Sequence, residues 1–382
     1  MRLTATPRPR AITMWDFSWL ERRWPGGGFE DWDAALSELV ARGYDSVRID
    51  PYPHLLAVNP HSEYRLLPVW TQHDWGSPYA LTVKVHDPLM EFLRACRRHN
   101  VGVGLSSWYR QDTFNHRLQI KTPQDHAAIW ARTLQLIDRA GLSDTLIYVD
   151  LCNEWPIPTW APFFNNSPGA RVADWHSAAS MNWMEQAIVA LRPSAPALDL
   201  TFSFTRDLLN PQKLAADVGF LDFLEPHIWM SYTTDFDQQI GYALQNFDPI
   251  GYELLASRGP RHYRADPEKW QQALTHAIDI MADWSKRTKR PLVSTECWAT
   301  VNYKDGPGLD WDWVIELCDI GTRHATDTGR FVAVATSNFC APQFRGMWRD
   351  VNWHTTLTAH IHSGSTPSSH LGGRHFPPGQ QD

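Results

Sequence analysis

The chain has 382 residues, enough to bury a large core in a single α/β barrel or in two smaller domains. It is 43% hydrophobic and 20% charged, with a net charge of −7 and a pI of about 6.2. This balance excludes the basic footprint of a nucleic-acid binder and attraction to anionic membrane surfaces. The unusual feature is tryptophan, present 20 times.

Met1 to Arg10 holds three arginines and two prolines and no apolar run, so no signal peptide is expected. No stretch approaches the length of a membrane span. Eight short runs rich in Val, Ile, Leu and Phe then follow one another: Ala11–Phe17, Ser46–Asp50, Val101–Ser107, Thr145–Cys152, Asp199–Phe204, Leu221–Ile228, Pro291–Glu296 and Phe331–Thr336. Such runs, bounded by turn or polar residues, are what buried parallel strands require. Between them lie helical patterns. Asp31–Arg42, Asp174–Arg192 and Trp311–Thr326 are three, and Asp87-Pro88, Thr122-Pro123, Asn210-Pro211 and Asp266-Pro267 each place a capping residue before a proline suited to the first helical turn. Eight strands alternating with helices predict a single (β/α)8 TIM barrel over residues 1–362, with long segments after strands 2 and 6. The competing doubly wound sheet lacks a phosphate loop, since Pro25-Gly26-Gly27-Gly28 has no GxGxxG spacing. Residues 363–382 are Gly/Pro/Ser-rich and read as a disordered tail. Cys96, Cys152, Cys297, Cys318 and Cys340 form no CxxC pair, so neither a disulfide framework nor a zinc site is expected, and the chain reads as cytoplasmic.

Function in this fold sits at the C-terminal ends of the strands. There the sequence places Asp16, then Arg48 and Asp50, Trp108, the run Asn153-Glu154-Trp155, His227 with Tyr232, Glu296 with Trp298, and Asn338. Glu154 and Glu296 each end an apolar strand, three βα steps apart, and should face each other across the barrel mouth. Paired carboxylates flanking a sugar ring are what glycoside hydrolysis needs.

The eight-strand pattern, the Asn153-Glu154 dipeptide at strand 4 and Glu296 at strand 7 resemble the clan A glycoside hydrolases, and among them the cellulase-like members related to family 5. The resemblance covers residues 11 to about 362. It implies retention of anomeric configuration, with Glu154 as acid/base and Glu296 as nucleophile. It also implies Asn153 on the sugar 2-hydroxyl, Arg48 beside the nucleophile, and His227 and Tyr232 in the family's strand-6 positions. The family's strand-8 tryptophan is replaced here by Ser337-Asn338-Phe339, which bears on the sugar accepted. Asp16, Asp50, Trp108, Trp155, Trp298 and Asn338 complete the expected substrate-binding set, with no metal and no cofactor.

Nine tryptophans fall in helical patterns and read as packing. Nine more (Trp15, Trp19, Trp70, Trp75, Trp108, Trp155, Trp160, Trp229 and Trp298) fall at or after strand ends, where aromatic faces match the C–H faces of sugars. Three to five of these are expected to line subsites. Long aromatic walls after strands 2 and 6 suggest a pocket and exo-action on a β-linked glycoside or short oligosaccharide. The alternatives are a metal-dependent sugar isomerase or epimerase using Glu154, His227 and Glu296, a non-catalytic sugar-binding protein, and a transglycosylase with the same residues.

Overall fold

The computed structural model describes residues 2–68, 74–167, 169–171, 173–242 and 248–367. Eight parallel strands follow the chain: β1 (Arg10–Asp16), β2 (Ser46–Ile49), β3 (Gly102–Ser106), β4 (Leu146–Asp150), β5 in two pieces (Asp199–Thr201, Ser203–Phe204), β6 in two pieces (Glu225–Pro226, Ile228–Trp229), β7 in two pieces (Leu292–Ser294, Cys297–Trp298) and β8 (Phe331–Ala335). One sheet runs in the order β7-β8-β1-β2-β3-β4-β5. The ring closes through Ser203↔Glu225 between β5 and β6, and through Ile228↔Cys297 and the Leu224↔Leu292 bridge between β6 and β7. This is the expected (β/α)8 barrel. Strand 6 sits later than its apolar run suggested, because Leu221–Phe223 is spent on the turn into it.

The outer layer is α1 (Trp32–Ala41), α2 (His86–Arg98), α3 (Pro123–Arg139), α4 (Ala178–Leu191), α5 (Pro249–Ala265), α6 (Pro267–Thr288), α7 (Asp312–Asp327) and α8 (Val351–Ser363). Three of the expected starts are built as the sequence implies. Asp31 accepts from the amide of Ala34, Thr122 and Asp125 form a reciprocal capping box, and Asp266 accepts from the amide of Lys269. Two starts differ. α2 begins at His86, so Asp87 lies inside the first turn and is not its cap. After Asn210-Pro211 the described chain makes only a 3-10 turn, Lys213–Ala215. The short link between β5 and β6 turns again at Asp217, whose carboxylate accepts from Gly219, and one turn cannot repay helix nucleation.

The long segment after β2 holds a short helix (Pro53–Val58) and a hairpin (Glu63–Leu66 with Leu81–Lys84). The one after β6 holds Met230–Thr233, Phe236–Ile240 and α5. The barrel interior is tightly filled: a side chain at Gly104 would collide with the ring of Tyr148 on the neighbouring strand. Of the expected tail, residues 368–382 lie outside the described residues. Ser363 closes α8, and Thr366 is buried with its hydroxyl donating to the Thr6 carbonyl at 2.9 Å. No helix among the described residues is long and apolar enough to cross a membrane.

Candidate active site

Arg48 rises from β2 into the barrel mouth and is fully buried. Its Nε and Nη2 donate to both oxygens of Asp16 at 2.8 and 2.7 Å. Nη2 also donates to Glu296 Oε1 at 2.5 Å, and Nη1 donates to Thr295 Oγ1 at 2.6 Å and Glu225 Oε1 at 3.3 Å. Burial works against the guanidinium charge, but Asp16, Glu296 and Glu225 overcome it and raise the pKa well above its ordinary value. A planar fork with five donors suits this task, and lysine has no equivalent.

Glu154 follows β4 with a left-handed backbone (φ 49°), as Asp16 does at the end of β1 (φ 38°). Both are non-glycine residues in a region that costs free energy, and such strain clusters at functional sites. The Glu154 amide is fixed by donating to Ser203 Oγ at 2.8 Å. Its Oε1 lies 3.2 Å from His227 Nδ1, and its Oε2 lies 3.4 Å from the indole nitrogen of Trp160. His227 Nδ1 is also 3.6 Å from Glu296 Oε1. Its Nε2 faces Arg48 Nη1 at 3.4 Å. Arginine only donates, so Nε2 accepts and Nδ1 carries the proton that points at the carboxylates. Burial lowers the His227 pKa to about 4, which keeps the ring neutral.

One carboxylate oxygen of Glu154, one of Glu296 and a ring nitrogen of His227 all lie within 4.8 Å of one another. Burial raises both glutamates, Glu296 to about 7, with His227 and Arg48 pulling Glu296 the other way. Arg48 touches Glu296 directly and does not touch Glu154, so Glu296 is the better place for the negative charge when the pair holds one proton.

Several expected residues gather here. Asp16, Arg48, Glu154, His227 and Glu296 form one bonded network. Asn153 is fully buried beside it, and neither polar atom of its side chain bonds to a described protein group. Tyr232 is half exposed at the mouth, its ring 6.5 Å from that of Trp229. Trp108 packs edge-on against Trp160 at 4.6 Å. Asn338 ties the loop after β7, its side-chain amide donating to the Val301 carbonyl at 2.9 Å.

Three expected residues stand elsewhere. Asp50 accepts from the backbone amides of Tyr52 and Trp108 at 2.7 and 2.8 Å and is a strand-end clamp. Trp155 turns away from the mouth into the layer under α4, where its indole donates to Ser180 Oγ at 2.7 Å. Trp298 does the same against α7, donating to the Ala335 carbonyl, and Gly321 leaves room for its ring. Trp155 directly follows the inward-facing Glu154 and Trp298 stands two residues after Glu296, so strand alternation alone does not set both directions. Trp15 and Trp19 also pack outward, against Phe92. Trp70 lies outside the described residues. Of the described strand-end tryptophans, Trp160 meets Glu154, Trp108 packs on Trp160, Trp75 packs on Phe344 and Trp229 lies beside Tyr232.

Sequence reasoning passed over Thr295 and Glu225. Glu225 is fully buried, touches Thr295 and Arg48, and is pushed up to about 8 by burial and by the charge of Asp150. Their signal was present as polar residues within β6 and β7, Thr295 one position before Glu296 and Glu225 two before His227.

A family model described as sugar-binding cellulase-like matches residues 12–362. A solved structure of a candidate glycoside hydrolase from Parabacteroides distasonis is similar over 97% of both chains, at 46% identity and a TM-score of 0.92. More distant folds include a family 5 mannosidase from Rhizomucor miehei (10% identity, 93% of both chains, TM-score 0.53). A Streptomyces cattleya family 5 protein bound to GlcNAc is similar over 86% of this chain and 70% of that one (13% identity, TM-score 0.50). No curated protein sequence matches the chain. With the barrel and the carboxylate pair in place, the match across nearly the whole barrel means that this chain belongs to the sugar-binding cellulase-like family.

Proposed function

We propose that the protein is a retaining glycosidase that removes a terminal residue from a β-linked glycoside or short oligosaccharide. The observation that carries this reading is the facing pair of Glu154 and Glu296, with oxygens within 4.8 Å and Arg48 seated 2.5 Å from Glu296 alone. Carboxyl groups about 5–5.5 Å apart suit double displacement, and about 6.5–9.5 Å leaves room for the water of inversion. In the first step Glu296 attacks the anomeric carbon, the glycosidic C–O bond breaks, and Glu154 gives its proton to the leaving oxygen. In the second, Glu154 takes a proton from water, which attacks the same carbon and releases Glu296. His227 holds Glu154 in place through Nδ1–H, and the Asn153 amide bonds a hydroxyl of the sugar. Trp108 and Trp160 offer apolar faces to it.

Exo-action is supported by enclosure. The Glu154 and Glu296 side chains are only 13% and 5% exposed. The segment after β2 meets the loops after β7 and β8, with Asp74 accepting from the Asp305 amide at 3.0 Å and Trp75 against Phe344 at 4.6 Å. The five cysteines are all buried free thiols, which supports a reducing, cytoplasmic setting.

The isomerase reading draws on the same three groups, since Glu154, His227 and Glu296 are close enough to share a metal ion. Against it, Arg48 already places a fixed positive charge on the Glu296 oxygen that faces His227.

The test is a panel of p-nitrophenyl glycosides with wild type, Glu154→Ala and Glu296→Ala, each with and without EDTA. Both variants should lose activity on the substrate found, EDTA should have no effect, and azide should rescue Glu296→Ala with inverted product. Full activity in Glu296→Ala, or loss on chelation, defeats the proposal.

A further inference from the structure

The hairpin after β2 pairs Glu63 with Lys84, antiparallel. Continuing that register by two residues sets His61 opposite His86, where the open end of the hairpin meets the start of α2. The two imidazoles are in contact, with ring centroids 5.1 Å apart. His86 Nδ1 lies 2.7 Å from Asp87 Oδ1. One ring nitrogen from each histidine and one Asp87 oxygen all fall within 4.8 Å of one another. His61 and Asp87 are exposed and His86 is partly so, which leaves the group open to solvent.

We propose that His61, His86 and Asp87 form a divalent transition-metal site, suited to zinc, which staples the base of this hairpin to α2. Two imidazoles and one carboxylate are a borderline ligand set of the kind zinc accepts, and the open side leaves a fourth position for water. Ligand atoms around a tetrahedral zinc stand about 3.3 Å apart, from bond lengths near 2.0–2.1 Å. Exposed side chains close the remaining distance by small rotations.

Isothermal titration of the chelator-stripped full chain with zinc chloride tests this, using wild type, His61→Ala, His86→Ala and Glu296→Gln. One zinc equivalent should vanish in both histidine variants and remain in Glu296→Gln. An unchanged stoichiometry in His61→Ala overturns the site. So does loss of the equivalent in Glu296→Gln, which would place the zinc at the barrel mouth. The readout is binding, so the result stands apart from whether the glycosidase reading holds.

Discussion

Arg48 shows how a single side chain can order a site. It faces Asp16, Glu225 and Glu296, and one positive charge cannot keep three buried carboxylates ionised. Asp16 takes the bidentate contact, Glu225 is pushed up to about 8, and Glu296 receives one short bond from Nη2. Lysine at this position keeps the charge and loses the fork. A hydrogen bond to a charged group is worth about 1.5–3 kcal/mol, so Arg48→Lys should lower kcat/KM by about 10- to 100-fold. The pH profile gives a second readout. The working pair holds one proton: below the first step Glu296 is protonated and cannot attack, and above the second Glu154 has no proton to give. With Glu296 lifted to about 7, the acid limb should fall near neutrality in the wild type. Weakening Arg48's hold raises Glu296 further, so in Arg48→Lys that limb should move to higher pH. An unmoved limb would show that Arg48 does not set the ionisation of Glu296.

At the scale of elements, buried acids fasten the strand ends to one another. Asp50 joins the segment after β2 to the end of β3 through the amides of Tyr52 and Trp108. Asp150 receives the hydroxyls of Ser106 and Ser203 at 2.7 and 2.9 Å and so joins β4 to β3 and β5. Removing Asp50 orphans two buried N–H groups, each worth about 1–3 kcal/mol. Asp50→Ala should therefore move the urea midpoint down with an unchanged m-value, and an unchanged midpoint would remove Asp50 from the clamp. Asp50 also marks where the sequence stops being explicit. Barrel strands were legible because strands buried on both faces become short runs of Val, Ile, Leu and Phe. Glu154 and Glu296 stood out because each follows such a run and the two lie three βα steps apart. The α5 helix was not, since Gly251, Gly259 and Pro260 interrupt the apolar period that would announce it. Trp155 and Trp298 were misplaced because the sequence does not say which face of a strand end a side chain takes, and both turned into the helix layer. Asp50 looked like a ligand for the same reason: only the fold reveals that two backbone amides already occupy it.

For the whole molecule, the tryptophan excess lies mainly between barrel and helices, and the histidines set within that layer make its stability depend on pH. His126 is fully buried among Trp155, Trp183 and Phe163. The indole of Trp183 donates to its Nδ1 at 3.1 Å, so Nδ1 must accept and Nε2–H faces the Tyr109 hydroxyl oxygen at 2.6 Å and the Leu151 carbonyl at 3.1 Å. A second proton would set two donors face to face. Burial accordingly lowers the His126 pKa from 6.5 to about 4. The unfolded chain takes up that proton near 6.5 and the folded chain resists it to about 4, so this contribution is complete above 6.5 and is lost as pH falls towards 4. Across the window the loss amounts to ~3 kcal/mol at most. Buried acids lifted to about 7, such as Asp50 and Glu296, act in the opposite sense, because protonating them as pH falls favours the fold. A paired measurement separates the two effects. His126→Gln should be less stable than wild type at pH 7, and the gap between them in urea unfolding should shrink as pH drops to 4, since the acids are common to both. A gap that stays constant over this range would mean that His126 titrates alike in the folded and unfolded chains, and that the layer does not impose its tautomer.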